Sequence, residues 1–181
     1  MTILFTDPTI RAKVGPTNTA SAASIGALMA NPDVAIRPGT RARMKDTTYG
    51  DIDAIFLPTV ASVTSGIVVT FRQSGSGVFT VAPVPNTGNL AQAVAVSLHT
   101  GATNNYGWFA LAGTVKVKKT AVKVNPNVAL YISATVGRLM STTASGKQIQ
   151  ALRSSNSATV ASATSTVYVT MDHPAAQGWL T

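Results

Sequence analysis

From residue 51 onward, large apolar residues and small or polar ones alternate in short runs. Val115-Lys116-Val117-Lys118 puts two valines on one side of an extended chain and two lysines on the other. Val94-Ala95-Val96-Ser97-Leu98 and Val167-Tyr168-Val169-Thr170-Met171 keep the same period of two. The pattern predicts strands over Ile52–Leu57, Gly66–Phe71, Val78–Val81, Ala91–Leu98, Tyr106–Leu111, Thr114–Lys118, Val128–Ser133, Gln148–Arg153 and Ser165–Met171. Between them stand turn signals: Ser74-Gly75-Ser76-Gly77, Asn86-Thr87-Gly88-Asn89, Asn104-Asn105-Tyr106-Gly107, Asn125-Pro126-Asn127 and Ser145-Gly146. Short strands separated by such turns about every ten residues predict an all-β module, a β-sandwich or barrel of short antiparallel strands. The Ser/Ala/Thr-rich stretch from Ser154 to Thr166 fits a loop and a weak strand equally, and no fixed-period repeat is present.

Residues 1–50 read differently. Pro8, Gly15, Pro16, Pro32, Pro38 and Gly39 punctuate them, and no alternation of strand length persists. One short helix is predicted over Thr19–Ala30, with Asn18 or Thr19 as its N-cap and Asn31-Pro32 as its stop. Ile3, Leu4, Phe5, Ile10, Ile25, Leu28 and Met29 are too many apolar residues for a solvated tail. The division expected is therefore an extended basic and apolar N-terminal arm, 1–50, and a β-sandwich or barrel module, 51–181.

Composition narrows what such a module does. Charged residues are only 11 % of the chain, against about 25 % in ordinary domains, so Ser, Thr, Asn and backbone must supply most of the polar surface. There is no glutamate, and between Asp53 and Asp172 there is no acid at all. That stretch carries Arg72, Lys116, Lys118, Lys119, Lys123, Arg138, Lys147 and Arg153. The net charge of +8 favours an acidic partner: nucleic acid, a membrane surface or an acidic protein shell. With no cysteine, disulfides and thiolate sites are excluded. The N-terminus shows no basic segment followed by a long apolar core, and no run of 18 apolar residues occurs, so neither a secretion signal nor a membrane-spanning helix is expected.

Candidate chemistry is sparse. General acid–base catalysis and hard-metal binding rest mainly on carboxylates. His99 and His173 have no Cys or Glu nearby, and His99 continues the polar face of Ala95 and Ser97, which predicts a surface or turn histidine. Asp172-His173 is the sharpest catalytic option, as part of a dyad, but no nucleophile motif accompanies it. Asp46, Asp51 and Asp53 invite a glycosidase pair; a turn beside Gly50, or partnership with Arg41, Arg43 and Lys45, is the simpler reading. Ser74–Gly77 lacks the Gly-Lys-Ser/Thr ending of a phosphate loop. The chain is read as no enzyme, with no cofactor and no metal.

Two cationic clusters remain. Lys116 and Lys118 lie roughly 7 Å apart on one strand face, where repulsion in water is only about 0.6 kcal/mol. With Lys119 and Lys123 they suit either protection of an edge strand or docking on an acidic surface. Arg41, Arg43 and Lys45, if extended, point one way and suit carboxylates or phosphates. Aromatic residues are not interleaved, so nucleic acid is the weaker partner class. All seven are partner-binding candidates.

Several segments together resemble a known family: Tyr49-Gly50-Asp51-Ile52-Asp53-Ala54-Ile55-Phe56-Leu57, Gly66-Ile67-Val68-Val69-Thr70, Ala93-Val94-Ala95-Val96-Ser97-Leu98, Tyr106-Gly107-Trp108-Phe109-Ala110-Leu111-Ala112-Gly113 and the run from Val128 to Leu139. Their order, over about residues 37 to 153, resembles small virion structural proteins of tailed bacteriophages, in particular capsid decoration (cement) proteins. The resemblance implies a homo-oligomer, often a trimer, that clamps neighbouring major capsid subunits from outside. The chain would be made in the host cytoplasm and reside on the capsid surface, with no membrane partner. A head–tail or tail component is the alternative, and a nucleic-acid-binding module the second. The acid-free β module departs from the family pattern and leaves the docking face open.

Overall fold

A computed structural model describes residues 3–5, 20–21, 37–59, 61–103 and 105–178. Twelve strands run through them: β1 (Ile3–Phe5), β2 (Ala20–Ser21), β3 (Arg41–Asp46), β4 (Gly50–Pro58), β5 (Val68–Gln73), β6 (Phe79–Pro83), β7 (Ala93–Ser97), β8 (Asn105–Lys118), β9 (Ala129–Ile132), β10 (Leu139–Met140), β11 (Gln148–Ser154) and β12 (Thr166–Ala176). No helix occurs among the described residues, and every strand pairing is antiparallel. The fold class is all-β. The sheet order is β1-β3-β4-β8-β7-β12-β11-β9-β10, with β5 joining β7 to β6 and β2 added to β8. The sheet is open, with β1 and β10 at its ends.

The long strand β8 organises this sheet. One of its edges pairs with β4, Tyr106 to Gly113 facing Pro58 to Ile52. Its other edge pairs first with β7 at Phe109 and Ala110, then with β12 from Ala112 to Lys118. The change of partner falls next to Gly113, whose φ is +104°. A Cβ there would stand 2.4 Å from the Asp51 carbonyl oxygen, so the close approach of β4 requires glycine. Sequence reasoning divides β8 in two at this point; the kink is accommodated within one continuous strand.

Alternation along β4, β7 and β8 fills two cores. Ile52, Ala54, Phe56, Val94, Val96, Trp108, Ala110, Val115 and Val117 point to the larger, which β9 to β12 complete with Leu130, Ile132, Leu139, Ile149, Leu152, Val167, Val169 and Met171. Ile55, Leu57, Val69, Val81, Ala95, Phe109 and Leu111 point to the smaller. That second core exists because β6 packs back against β4, bringing the Phe79 ring over Gly39. Burying a leucine or phenylalanine side chain is worth about 1.5–3 kcal/mol, so both faces of these central strands contribute to stability.

Three expectations change. Arg41–Asp46, placed by sequence in the arm, is β3, fully paired with β4 from Arg41 opposite Ile55 to Asp46 opposite Gly50. Its burial alternates strictly, with Ala42, Met44 and Asp46 inside and Arg41, Arg43 and Lys45 outside. The β module therefore begins before residue 51. The helix expected over Thr19–Ala30 fails at Ala20–Ser21, which pair as β2 with Tyr106 and Asn105; its remainder, 22–30, lies outside the described residues. Residues 155–165 form a loop between β11 and β12, pinned by a bridge between Val160 and Val124.

Replacing Gly113 with alanine should lower the unfolding free energy by about 3 kcal/mol, from backbone strain plus collision with Asp51. Gly50→Ala is the matched control: its φ is +89°, but no atom lies within 4 Å of an added Cβ. It should cost only about 1–2 kcal/mol, and urea melts of both variants read the difference.

Candidate partner-binding faces

The β3–β4 hairpin turns through Thr47, Thr48 and Tyr49 and closes on Gly50 in the left-handed region, a common geometry for three-residue loops. Asp46 holds the turn: its buried Oδ1 accepts from the amides of Thr48 at 2.7 Å and Tyr49 at 2.9 Å. On the outer side, Lys45 faces Asp51 and Arg43 faces Asp53. Arg43 reaches diagonally to Asp51, Nη2 to Oδ2 at 2.7 Å. Both side chains are at least half exposed, so the pair contributes under about 1 kcal/mol. The turn-and-partner reading of these aspartates holds for Asp46 and Asp51.

This outer face continues across the sheet. The hydroxyls of Thr114 and Thr170 lie 3.2 Å apart, and Thr170 faces Arg153 of β11. Lys116 faces Tyr168 and sets its ammonium 5.9 Å from the ring centroid, worth about 0.5–1 kcal/mol at an exposed site. Tyr49 leans on the same ring, centroids 4.5 Å apart, and the Tyr168 hydroxyl raises the Tyr49 pKa through a hydrogen bond. At the far end His173 Nδ1 meets Asp172 Oδ1 at 2.8 Å, both side chains exposed. His173 has φ +46° and sits where β12 passes from β8 to β7. The cleft it overlooks is lined by Arg41, Ala42, Arg43, Asp53, Ala54 and Leu111, with no hydroxyl or thiol among them. The dyad geometry is present without a nucleophile in its cleft. Among the described residues no group of three or more His, Cys, Asp or Glu could hold a metal ion.

Arg41, Arg43, Lys45 and Lys116 thus share one face, and every exposed acid among the described residues shares it too: Asp51, Asp53 and Asp172. Lys118 keeps the parity of Lys116 at the end of β8, and Lys119 and Lys123 follow beyond the strand. Lys118 donates to Thr64 Oγ1 at 2.6 Å, beside the Gly66 carbonyl that accepts its amide. Lys123 is exposed in the following loop, where its carbonyl accepts from Ser141 Oγ. That loop lies against the β9–β10 hairpin: Lys119 bridges Leu139, and the Thr120 amide donates to the Leu139 carbonyl. At Lys116 and Lys118 β8 is paired with β12 alone; the β4 ladder ends at Gly113, and on that edge only the Gly66 carbonyl meets the Lys118 amide.

Lys119 is no surface group. It follows Val115 and Val117 in the inward alternation and is 1 % exposed. Its ammonium donates to the carbonyls of Val122 at 2.7 Å, Thr120 at 3.3 Å and Ser162 at 3.3 Å. Burial lowers its pKa, while three acceptors give the ammonium a complete set of partners. The side chain ties the 120–124 segment to the loop after β11 and leaves the contact set.

His99 is also buried, not at the surface. Nδ1 lies 3.2 Å from the Trp108 carbonyl, which can only accept, so Nδ1 carries the proton. Ser97 Oγ donates to the His99 carbonyl at 2.8 Å, and the ring meets the Phe109 ring edge-on at 4.9 Å. Gly107 makes the space: a Cβ there would stand 2.4 Å from the imidazole. Nε2 is buried without a hydrogen-bond partner. Desolvation lowers the pKa, partly countered by the Trp108 carbonyl.

Sequence reasoning passed over Val136, Arg138 and Lys147 as contacts. Val136 is 55 % exposed at the tip of the β9–β10 turn. Arg138 and Lys147 flank that hairpin, the Arg138 carbonyl accepting from Ser133 and the Lys147 carbonyl from Ile132. Neither belongs to a sequence cluster; the signal that finds them is their place in the acid-free stretch. No protein-family model matches this chain, and no curated protein matches it.

His99 gives a pH signature. Its folded pKa lies below the ordinary value of about 6.5, so the unfolded chain takes up the proton first. Stability should be constant above about pH 7 and fall as pH drops through 6.5 toward the folded pKa. His99→Asn keeps a donor for Trp108 and cannot titrate; melting temperatures between pH 7 and 5 should decline less steeply for it than for the wild type.

Proposed function

We propose that this chain is a structural virion protein that binds the outside of a phage capsid and braces neighbouring major capsid subunits. The observation that carries the reading is the separation of charge over a sheet fold. Acids and cations mix on the β3–β4–β8–β12 face, whereas Lys123, Arg138 and Lys147 lie in the segments about the β9–β10 hairpin, which carry no acid. A polar, weakly charged surface with one cationic end fits lasting contact with an acidic macromolecule. The order of the segments that resemble decoration proteins supports the same role. Homo-oligomers, trimers in particular, would put several such ends on one shell, and multivalency multiplies affinity. Of the seven sequence candidates, Lys123 lies at that cationic end, whereas Arg41, Arg43, Lys45, Lys116 and Lys118 lie along the mixed face and Lys119 is buried.

Binding only the assembled lattice stabilises that state by mass action, about 2.7 kcal/mol per site at a hundredfold excess over Kd. Purified chain added to expanded shells of the phage that encodes it should co-sediment with them and raise their melting temperature. A reconstruction should show many copies over the outer surface. A single ring at one vertex would instead assign it to the head–tail junction or tail, and absence of binding would remove the virion role.

A further inference from the structure

We propose that the chain docks through the end of the sheet around the β9–β10 hairpin, with Val136 as the apolar anchor and Lys123, Arg138 and Lys147 as its cationic rim, onto a carboxylate-rich protein surface. The inference rests on the virion reading above and names its docking face and partner chemistry.

Three observations converge on this end. The first is charge. Among the described residues the ion pairs are Arg43–Asp51 and His173–Asp172, both on the sheet face. At the hairpin end Lys147 holds a neutral partner, Asn86 Oδ1 at 2.6 Å. No acid lies in the sequence from Ala54 to Met171, so none of the segments assembled here brings one. Unpaired cations gain most from a partner that supplies carboxylates, both in encounter rate and in register.

The second is the anchor. Exposed large apolar side chains are few, and Val136 is one of them. It stands in a turn fixed from inside: Thr135 N donates to Ser133 Oγ at 2.9 Å, Arg138 N to the Thr135 carbonyl at 3.1 Å, and Ser133 N to the Arg138 carbonyl at 3.1 Å. The neighbouring Gly137 donates to the Val84 carbonyl and accepts from the Val68 amide, each at 2.9 Å. A turn held this way loses little freedom when it binds, which is where preorganised contacts gain affinity. An apolar tip within a polar rim is the usual anatomy of a protein contact.

The third is what this end lacks. Exposed Tyr49 and half-buried Tyr168 lie on the mixed face, and Tyr131, the aromatic residue of the hairpin, is half-buried within the sheet, so no exposed base-stacking platform accompanies these cations among the described residues. A duplex phosphate backbone offers no site for a projecting valine, whereas a protein surface does. The partner favoured is therefore protein.

The test compares two sets of surface substitutions in the full chain, with melting curves confirming that each variant folds. Lys123→Glu, Arg138→Glu and Lys147→Glu together should weaken binding to expanded shells by roughly a hundredfold. Val136→Asp alone should weaken it about tenfold or more. Arg41→Glu, Lys45→Glu and Lys116→Glu together, on the mixed-charge sheet face, should change it less than about threefold. Wild-type chain that binds while the hairpin-end variants bind equally well overturns this face and leaves the virion reading standing. Wild-type chain that ignores the shell overturns both. Preference for duplex DNA over shells at matched ionic strength overturns the protein partner.

Discussion

Strand β8 must satisfy two edges over fourteen residues, and four neighbours, β2, β4, β7 and β12, share them. A buried strand cannot leave amides or carbonyls unpaired without a cost comparable to a lost hydrogen bond. β4 runs along one edge as far as Gly113, and on the other β7 gives way to β12. The exchange demands a kink, and the kink demands a residue without a side chain against Asp51. Because β12 also contacts β7 and β11, this junction joins the N-terminal strands to the C-terminal ones. The larger core is continuous across it, from Met44 on β3 to Leu130 on β9.

The same junction decides where charge is tolerated. Before it, β8 is buried on both faces, with Trp108 and Ala110 in one core and Phe109 and Leu111 in the other. After it, Val115 and Val117 stay inside, while Thr114, Lys116 and Lys118 reach the outer face. A solvated lysine there costs little. The two buried basic groups sit just past strand ends instead, Lys119 beyond β8 and His99 beyond β7, where each reaches a backbone carbonyl. Lys119 closes a loop onto the sheet through three acceptors. His99 reaches across to the Trp108 carbonyl with one nitrogen and leaves the other unpaired, which is the source of its pH sensitivity.

Strands with period-two alternation of large and small residues were legible because burial on one face imposes that pattern. β3 was hidden: its inward residues are Ala42, Met44 and Asp46, only one of them large and apolar, so arginines dominate the run. His99 shows the limit of reading one face at a time. Its parity with Ala95 was correct, but Ala95 faces the second core, and nothing local reveals that β6 folds back to create that core. Lys119 was misplaced by reading charge before parity; two residues after Val117, the alternation itself points it inward. Val136, Arg138 and Lys147 become neighbours only through the β9–β10 and β9–β11 pairings, which no single segment encodes.

Charge segregation also bears on how the molecule would approach a partner. Asp172 is far in sequence from Asp51 and Asp53, yet the registers of β4 and β12 against β8 bring all three onto one face. There the three acids partly offset Arg41, Arg43, Lys45, Lys116, Lys118 and Arg153, which reduces the field of that face beyond a Debye length of about 8 Å. The hairpin end carries no such compensation, so its field reaches further into solvent and supplies orientation before contact. Short-range packing around Val136 then has only to hold what the field has aligned. Raising salt would slow the first step and leave the second largely intact, because apolar burial is not screened by ions.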